Sequence, residues 1–218
     1  MTGILNALFA SLAGGGGGGG IPAIGEAYEG GFFAGQIGTG GVATHNLVVA
    51  PLSSGQTTAQ WKNANTTTSG ADSDIDGPQN TADMVADGNS TVYPCAHFCN
   101  DAVIGGFSDW YMPAKNELEV CYFNLKPGTT SNNTSFGINP NAVPARASNY
   151  TSGNPAQTSA ADFQTGGAEP FVAAIYWSST EFSSSFARAG YFTSGNQTTN
   201  QTYKTASYRV RAVRRVAV

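Results

Sequence analysis

An α+β domain is predicted for most of the chain on three observations. Residues 31–50 hold two apolar, β-prone runs around a glycine turn. Two helical patterns, over 94–103 and 113–125, each open on a proline. Long stretches rich in Ser, Thr, Asn and Gly separate these elements. A chain of 218 residues with 40% apolar side chains can bury one good-sized core plus an appendage, but is too short for two full domains. Charged residues make up 11% of it, against about 25% in ordinary soluble domains, which suits a rigid, loop-rich surface protein.

The net charge of −4 and pI near 5.0 offer no general attraction to nucleic acid or to anionic membranes. Cys95, Cys99 and Cys121 form no even-numbered disulfide framework. No stretch approaches the roughly 20 consecutive apolar residues of a membrane span. Met1 to Leu5 lacks the basic start of a secretory signal, so a role outside a cell is expected to be reached without a signal peptide.

Ile4, Leu8 and Leu12 lie on one helical ridge with Leu5 and Phe9 beside it, which predicts an apolar anchor helix over 1–13. Alone it is too short to be stable in water, so it is expected to dock on copies of itself or on a scaffold. Gly14 to Gly20 is a run of seven glycines that separates this anchor from the domain at 21–218. It serves as a flexible linker or, threaded along a symmetry axis, as backbone packed where only glycine fits.

The runs 31–37 and 44–50 flank Gly38-Thr39-Gly40-Gly41 and predict a hairpin. His45 falls within its second strand with no other histidine nearby, as a surface or hydrogen-bonded residue. Residues 53–80 read as an ordered connection anchored by Trp61. Inside it Asp72, Asp74, Asp76 and Gly77, with Asp83 at the twelfth position, approach a calcium-loop spacing. Pro78, Gln79 and a final Asp in place of Glu depart from that pattern, and the alternative is a turn whose carboxylates bond their own backbone. No cofactor is assigned. Asn80 to Asp83 then reads as the cap of a short helical turn.

In the helix from Pro94 to about Val103, Cys95, Phe98, Cys99 and Ala102 share a face, which makes both cysteines core residues. The helix opened by Pro113 repeats Leu118, Cys121, Tyr122 and Leu125 at core spacing and stops at Lys126-Pro127-Gly128. Residues 129–167 have no period, as in a functional excursion or one stapled down by hydrogen bonds. Residues 171–179 and 185–192 predict a second hairpin, followed by an almost uncharged polar loop over 193–205. One last strand sets Val210, Ala212 and Val216 against Arg209, Arg211 and Arg215, whose face is exposed or else pairs with carboxylates such as Glu26, Glu29 or Glu181.

Gly105-Gly106-Phe107-Ser108-Asp109-Trp110-Tyr111-Met112-Pro113, Tyr176-Trp177-Ser178-Ser179-Thr180-Glu181 and Val210-Arg211-Ala212-Val213-Arg214-Arg215, in that order, resemble the Lcl C-terminal domain family. The likeness covers roughly 24–218. Tyr111-Met112 stands where Arg-Leu is common, which leaves the polar partner of Trp110 open. The resemblance implies a C-type-lectin-like fold: two helices on a small antiparallel sheet, first and last strands adjacent, and long loops carrying recognition. It also implies a place at the tips of phage tails or bacterial surface proteins. With the anchor and the glycine run, this points to a phage virion protein, a homotrimer joined to other virion proteins through residues 1–20.

The expected contact surface is the segment 181–203, whose Tyr, Ser, Asn and Gly composition is that of an adaptable recognition surface. Its candidate ligand-binding residues are Phe182, Ser184, Arg188, Tyr191, Asn196, Gln197, Asn200 and Tyr203, for a host-surface glycan or protein. Trp177, Ser178 and Ser179 read as core and turn. The alternatives are a purely structural virion protein, such as a capsid decoration or fibre, and a bacterial adhesin. An enzyme is not expected. The related formylglycine-generating oxidases need accessible reactive cysteines, and His45 and His97 have no nucleophile-elbow sequence to serve.

Overall fold

A computed structural model describes residues 20–197 and 202–218. The expected anchor helix, and all but the last residue of the glycine run, lie outside them.

The first hairpin forms as expected, from β2 (Gly31–Thr39) and β3 (Val42–Val49). Gly40 and Gly41 close it with φ of 60° and 82°, the left-handed pair that a two-residue turn between twisted strands requires. A short β1 (Ala27–Tyr28) pairs with the start of β2, and β5 (Ala142–Val143) with its end. The final strand, β9 (Val213–Ala217), runs antiparallel beside β3, giving the order β1-β2-β3-β9. The last strand therefore neighbours the second strand of the hairpin rather than the first.

The second expected hairpin forms as well, but inside a second sheet that the sequence expectation lacked, of order β4-β8-β6-β7. It consists of β4 (Gln56–Gln60), β8 (Ser207–Arg211), β6 (Ile175–Glu181) and β7 (Ala187–Tyr191), with β6 and β8 parallel. The single closing strand is thus two strands broken at Ala212. That residue donates to the Gly55 carbonyl at 2.8 Å and accepts from Ala50 N–H at 3.0 Å, so the chain passes from one sheet to the other. β4 reads Gln-Thr-Thr-Ala-Gln and carries no apolar alternation, because its residues are only half covered.

Of the helices, α1 (Leu52–Gly55) is a single turn. α2 (Gly77–Asp87) starts before the expected cap: the Asp76 side chain accepts from Gln79 N–H at 3.3 Å, and proline occupies the first turn. Asn80 instead is buried inside the helix, where its amide donates to Ser73 O at 2.7 Å and Ser179 Oγ at 3.1 Å. α3 (Pro94–Asn100) ends short of Val103. α4 (Lys115–Leu125) begins after Ala114, whose N–H bonds the Glu117 carboxylate at 2.8 Å.

β3 shows why two cores form. Its alternate residues point to opposite faces, and both faces are covered. Leu47 and Val49 pack with Leu118, Cys121 and Tyr122 of α4. Val48 and Ala50 pack with Trp61, Met84, Trp110 and Trp177, between the sheets and α2 and α3. All three cysteines are free and buried on helix faces, as expected. Burial pushes their thiols up, that of Cys121 to about 12, so they stay protonated.

The patternless segment is stapled down. Lys126, 2% exposed, donates to Thr130 O at 2.6 Å, Asn132 Oδ1 at 2.7 Å and Pro155 O at 3.1 Å. Glu119 accepts from Asn139 at 2.5 Å and Tyr150 at 2.6 Å, and pairs with Arg146.

The arginine face of the closing segment pairs with carboxylates at Arg211 and Arg215, while Arg209 is half-buried. Arg211 and Arg214 are buried, Arg211 against Glu169 at 2.6 Å, while Arg215 holds Glu117 at 2.7 Å. These carboxylates are other than Glu26, Glu29 and Glu181, and Glu29 lies 3.7 Å from Arg214. Glu181 takes Lys204 instead. A buried guanidinium needs a carboxylate within its own core layer, and the layers are set by the sheet crossing at Ala212.

Candidate binding face

The three sequence motifs meet at one seam. Gly105 turns the chain with φ of 62° against the Gly30 backbone. Trp110, 2% exposed, then donates its indole N–H to the carbonyls of Ile104 and Phe107 at 3.3 and 3.2 Å. Asp109 accepts from Arg214 of β9, and Tyr111 and Val213 exchange backbone hydrogen bonds of 2.8 and 3.0 Å. On β6, Ser179 N–H donates to Pro113 O at 2.8 Å, and Thr180 Oγ1 accepts from Lys115 N–H at 3.0 Å. Trp177, Ser178 and Ser179 are fully buried. The polar groups of Asp109, Trp110, Ser179 and Thr180 named here are thus bonded to the protein, and the seam acts as a clamp between sheets.

What the clamp holds out to solvent is the segment after β6. Phe182 is 42% exposed, and the Arg188 guanidinium lies 4.5 Å from its ring centre. Tyr203, 52% exposed, stands 4.7 Å from the Phe186 ring, with a backbone bridge between the two residues. Ser184 is exposed at the turn between these pairs. Tyr191 N–H donates to Asn196 O at 2.9 Å. Tyr191 and Gln197 both line a narrow slot between β7 and α4. Asn200 lies outside the described residues. Five of the eight candidates, Phe182, Arg188, Tyr191, Gln197 and Tyr203, therefore fall into an aromatic–guanidinium patch or the slot.

The far wall of the slot was missed by sequence reasoning. Leu118 and Tyr122 carry core spacing on α4, which gives no sign that one side of each also faces a cleft. Tyr150 sits in the patternless segment and is brought in by Glu119.

Asp72, Asp74 and Asp76 do not converge: among the described residues no three carboxylate, histidine or cysteine groups stand close enough to hold a metal. Asp74 pairs with Lys115 at 3.0 Å, and Asp76 caps α2. A larger open cleft of about 550 Å³ runs beside β9, with His45, Asp76, Asp109 and Arg215 on its walls. There burial and the Arg215 charge hold the His45 imidazole below its usual pKa, against the opposing pull of Asp76. Among the described residues no helix is long and apolar enough to cross a membrane.

Neither the curated proteins nor the solved structures contain a match to the chain. The family profile of the Lcl C-terminal domain matches residues 52–214, from α1 to the start of β9, a narrower span than the motifs suggested because the first hairpin precedes it. With that match over most of its length, the chain belongs to the Lcl C-terminal domain family.

Proposed function

We propose that this chain is a bacteriophage virion protein, a component of a tail fibre or tail tip, which meets a host-surface receptor through the face that carries Phe182, Arg188, Tyr191, Gln197 and Tyr203. The observation that carries this reading is the patch of Phe182, Arg188, Phe186 and Tyr203, with aromatic rings half exposed on a body poor in charge. Rigid aromatic and guanidinium groups give contact area at little entropic cost and dominate recognition surfaces. Their support is stiff, since Lys204, next to Tyr203, is fully buried on Glu181 at 2.8 Å.

The fold is read as C-type-lectin-like, with recognition carried by loops on a fixed scaffold. A homotrimer joined through residues 1–20 fits the same role, because the short apolar helix expected from the sequence over 1–13 would need partners. Antibody against the full chain tests the reading: labelling at the tail tip of intact particles, with fluorescent full chain decorating host cells, is the expected result. Labelling of the capsid or fibre shaft without cell decoration would replace it with a structural role.

A further inference from the structure

We propose that the slot between β7 and α4 receives the methyl group of an acetamido substituent, and that the ligand of this face is an uncharged N-acetylated amino sugar whose ring lies over Phe182 and Arg188. The proposal rests on the receptor-binding reading and names its ligand class.

The slot is lined by Leu118, Tyr122, Tyr150, Ala189, Gly190 and Gly195. Its free space for the centre of a water-sized group is about 10 Å³, room for one such group. Two glycines keep it open. A Cβ on Gly195 would stand 2.3 Å from the Tyr122 ring, and one on Gly190 3.3 Å from Leu118 Cδ2.

The lining offers carbon. The Tyr122 hydroxyl is turned to Asn132 at 2.6 Å and that of Tyr150 to Glu119 at 2.6 Å, so both present ring to the slot. Ser178 Oγ is spent on Arg188 O at 3.1 Å and Lys115 Nζ on Asp74 at 3.0 Å. A water needs two to four polar partners to be held. A methyl group needs none and has the right size.

What surrounds the slot selects the rest of the ligand. The half-buried Gln197 carboxamide on its wall is bonded to the Tyr150 side chain and keeps further amide capacity for the N–H or C=O of an acetamido group. Arg188 precedes Gly190 by two residues on β7 and therefore shares its face, about 7 Å away along the strand. That is the distance from an acetamido methyl to the far side of a pyranose ring. Lys115 is already paired with Asp74 and the chain carries a net charge of −4, so there is no general attraction for sulfated or carboxylated sugars, while the buried Arg188 Nε, without a hydrogen-bond partner among the described residues, is left to bond a hydroxyl of the sugar.

Saturation-transfer NMR on the full chain with N-acetylglucosamine, N-acetylgalactosamine, glucosamine and glucose tests this. At least one acetylated sugar should bind, with its acetyl methyl the most strongly saturated group and affinity at least tenfold above glucosamine and glucose. Gly190→Ala should weaken that binding tenfold or more at an unchanged melting temperature. The methyl signal on the unaltered protein decides the matter should the variant fold poorly. Equal binding of acetylated and plain sugars, a methyl saturated no more than the ring protons, or no binding overturns the proposal. Cell decoration by the full chain that excess N-acetyl sugar fails to compete would overturn the sugar while leaving the receptor role standing. Absence of decoration would remove the receptor role instead.

Discussion

Arg214 of the final strand grips Asp109 of the glycine turn through two parallel bonds, Nε to Oδ1 at 2.7 Å and Nη2 to Oδ2 at 2.9 Å. Its guanidinium lies 3.7 Å from the Phe107 ring centre and donates to Glu29 O at 2.9 Å. One side chain thus ties together the turn, the first strands and the end of the chain. Arg214→Met removes a buried fork and leaves Glu29 O unpaired, so a loss of about 3 kcal/mol is expected in denaturant unfolding. Asp109→Asn keeps one acceptor at a half-exposed position and should cost about 1 kcal/mol or less. Arg214→Lys should resemble Met more than wild type, because an ammonium cannot make the fork.

The two glycines of the same turn are not equivalent. Gly105 and Gly106 both have positive φ, 62° and 85°. A Cβ on Gly105 would lie 2.5 Å from Gly30 Cα, whereas one on Gly106 meets nothing within 4 Å. Gly106→Ala should cost only the conformational term, about 1 kcal/mol. Gly105→Ala must also push the two backbones away from each other and should cost at least about 2 kcal/mol more. Equal melting temperatures for the two variants would count against the close approach.

The adjacency of Gly105 and Gly30 is the kind of feature a sequence hides. The turn itself was legible because Gly-Gly, Asp-Trp and Pro have local conformational consequences, and so were α4, the first hairpin and the buried cysteines. The break at Ala212 was not, since Val210 to Val216 keeps strand character throughout and only the Gly55 and Ala50 backbones divide it. β4 escaped for the opposite reason, a strand of Gln and Thr with no period to read. At the candidate face the exposed half, Phe182, Arg188 and Tyr203, was visible as composition. The other half, Leu118 and Tyr122, was disguised as core because one side of each side chain is core.

His45 gives a pH signature. Its folded pKa is held below the ordinary 6.5 by burial and by Arg215, so below pH 6.5 the unfolded chain binds the extra proton first. Stability should be full above that value, fall as pH drops through the lowered pKa, and level off below it. His45→Gln should remove this contribution to the dependence, read as melting temperature between about pH 7.5 and 5. A step that persists unchanged in the variant would assign it to another group.

Lys126 makes a separate prediction about the long loop. Its ammonium has only neutral oxygens for partners, from Thr130, Asn132 and Pro155. Lys126→Met fills the volume but strips a donor from the Thr130 and Pro155 carbonyls, leaving the first unpaired while the second keeps Asn132 Nδ2, at an expected cost of about 2 kcal/mol. Because those carbonyls belong to the loop, cleavage by a nonspecific protease should begin within 129–158. Cleavage elsewhere, or unchanged resistance, would deny Lys126 its anchoring role.

Phe182 and Tyr203 test whether the exposed patch exists for contact or for stability. Each ring is about half in solvent, so much of its apolar area is already uncompensated. Truncation to Ser should therefore lower stability by no more than about 1 kcal/mol, far below the roughly 3 to 5 kcal/mol of a buried Phe. Phe182→Ser also releases the Arg188 guanidinium from its ring, which changes the patch without touching the β6–β7 pairing. If the patch is the receptor contact, either variant should reduce decoration of host cells by the full chain at least tenfold while melting within a few degrees of wild type. The buried counterpart Phe192 provides the contrast, since it stacks on Phe171 at 4.2 Å inside the core. Phe192→Ser should lose stability first, and binding only through unfolding. Should Phe182→Ser and Tyr203→Ser both leave cell decoration intact, the patch is not the contact, and the receptor surface must be sought elsewhere on the domain.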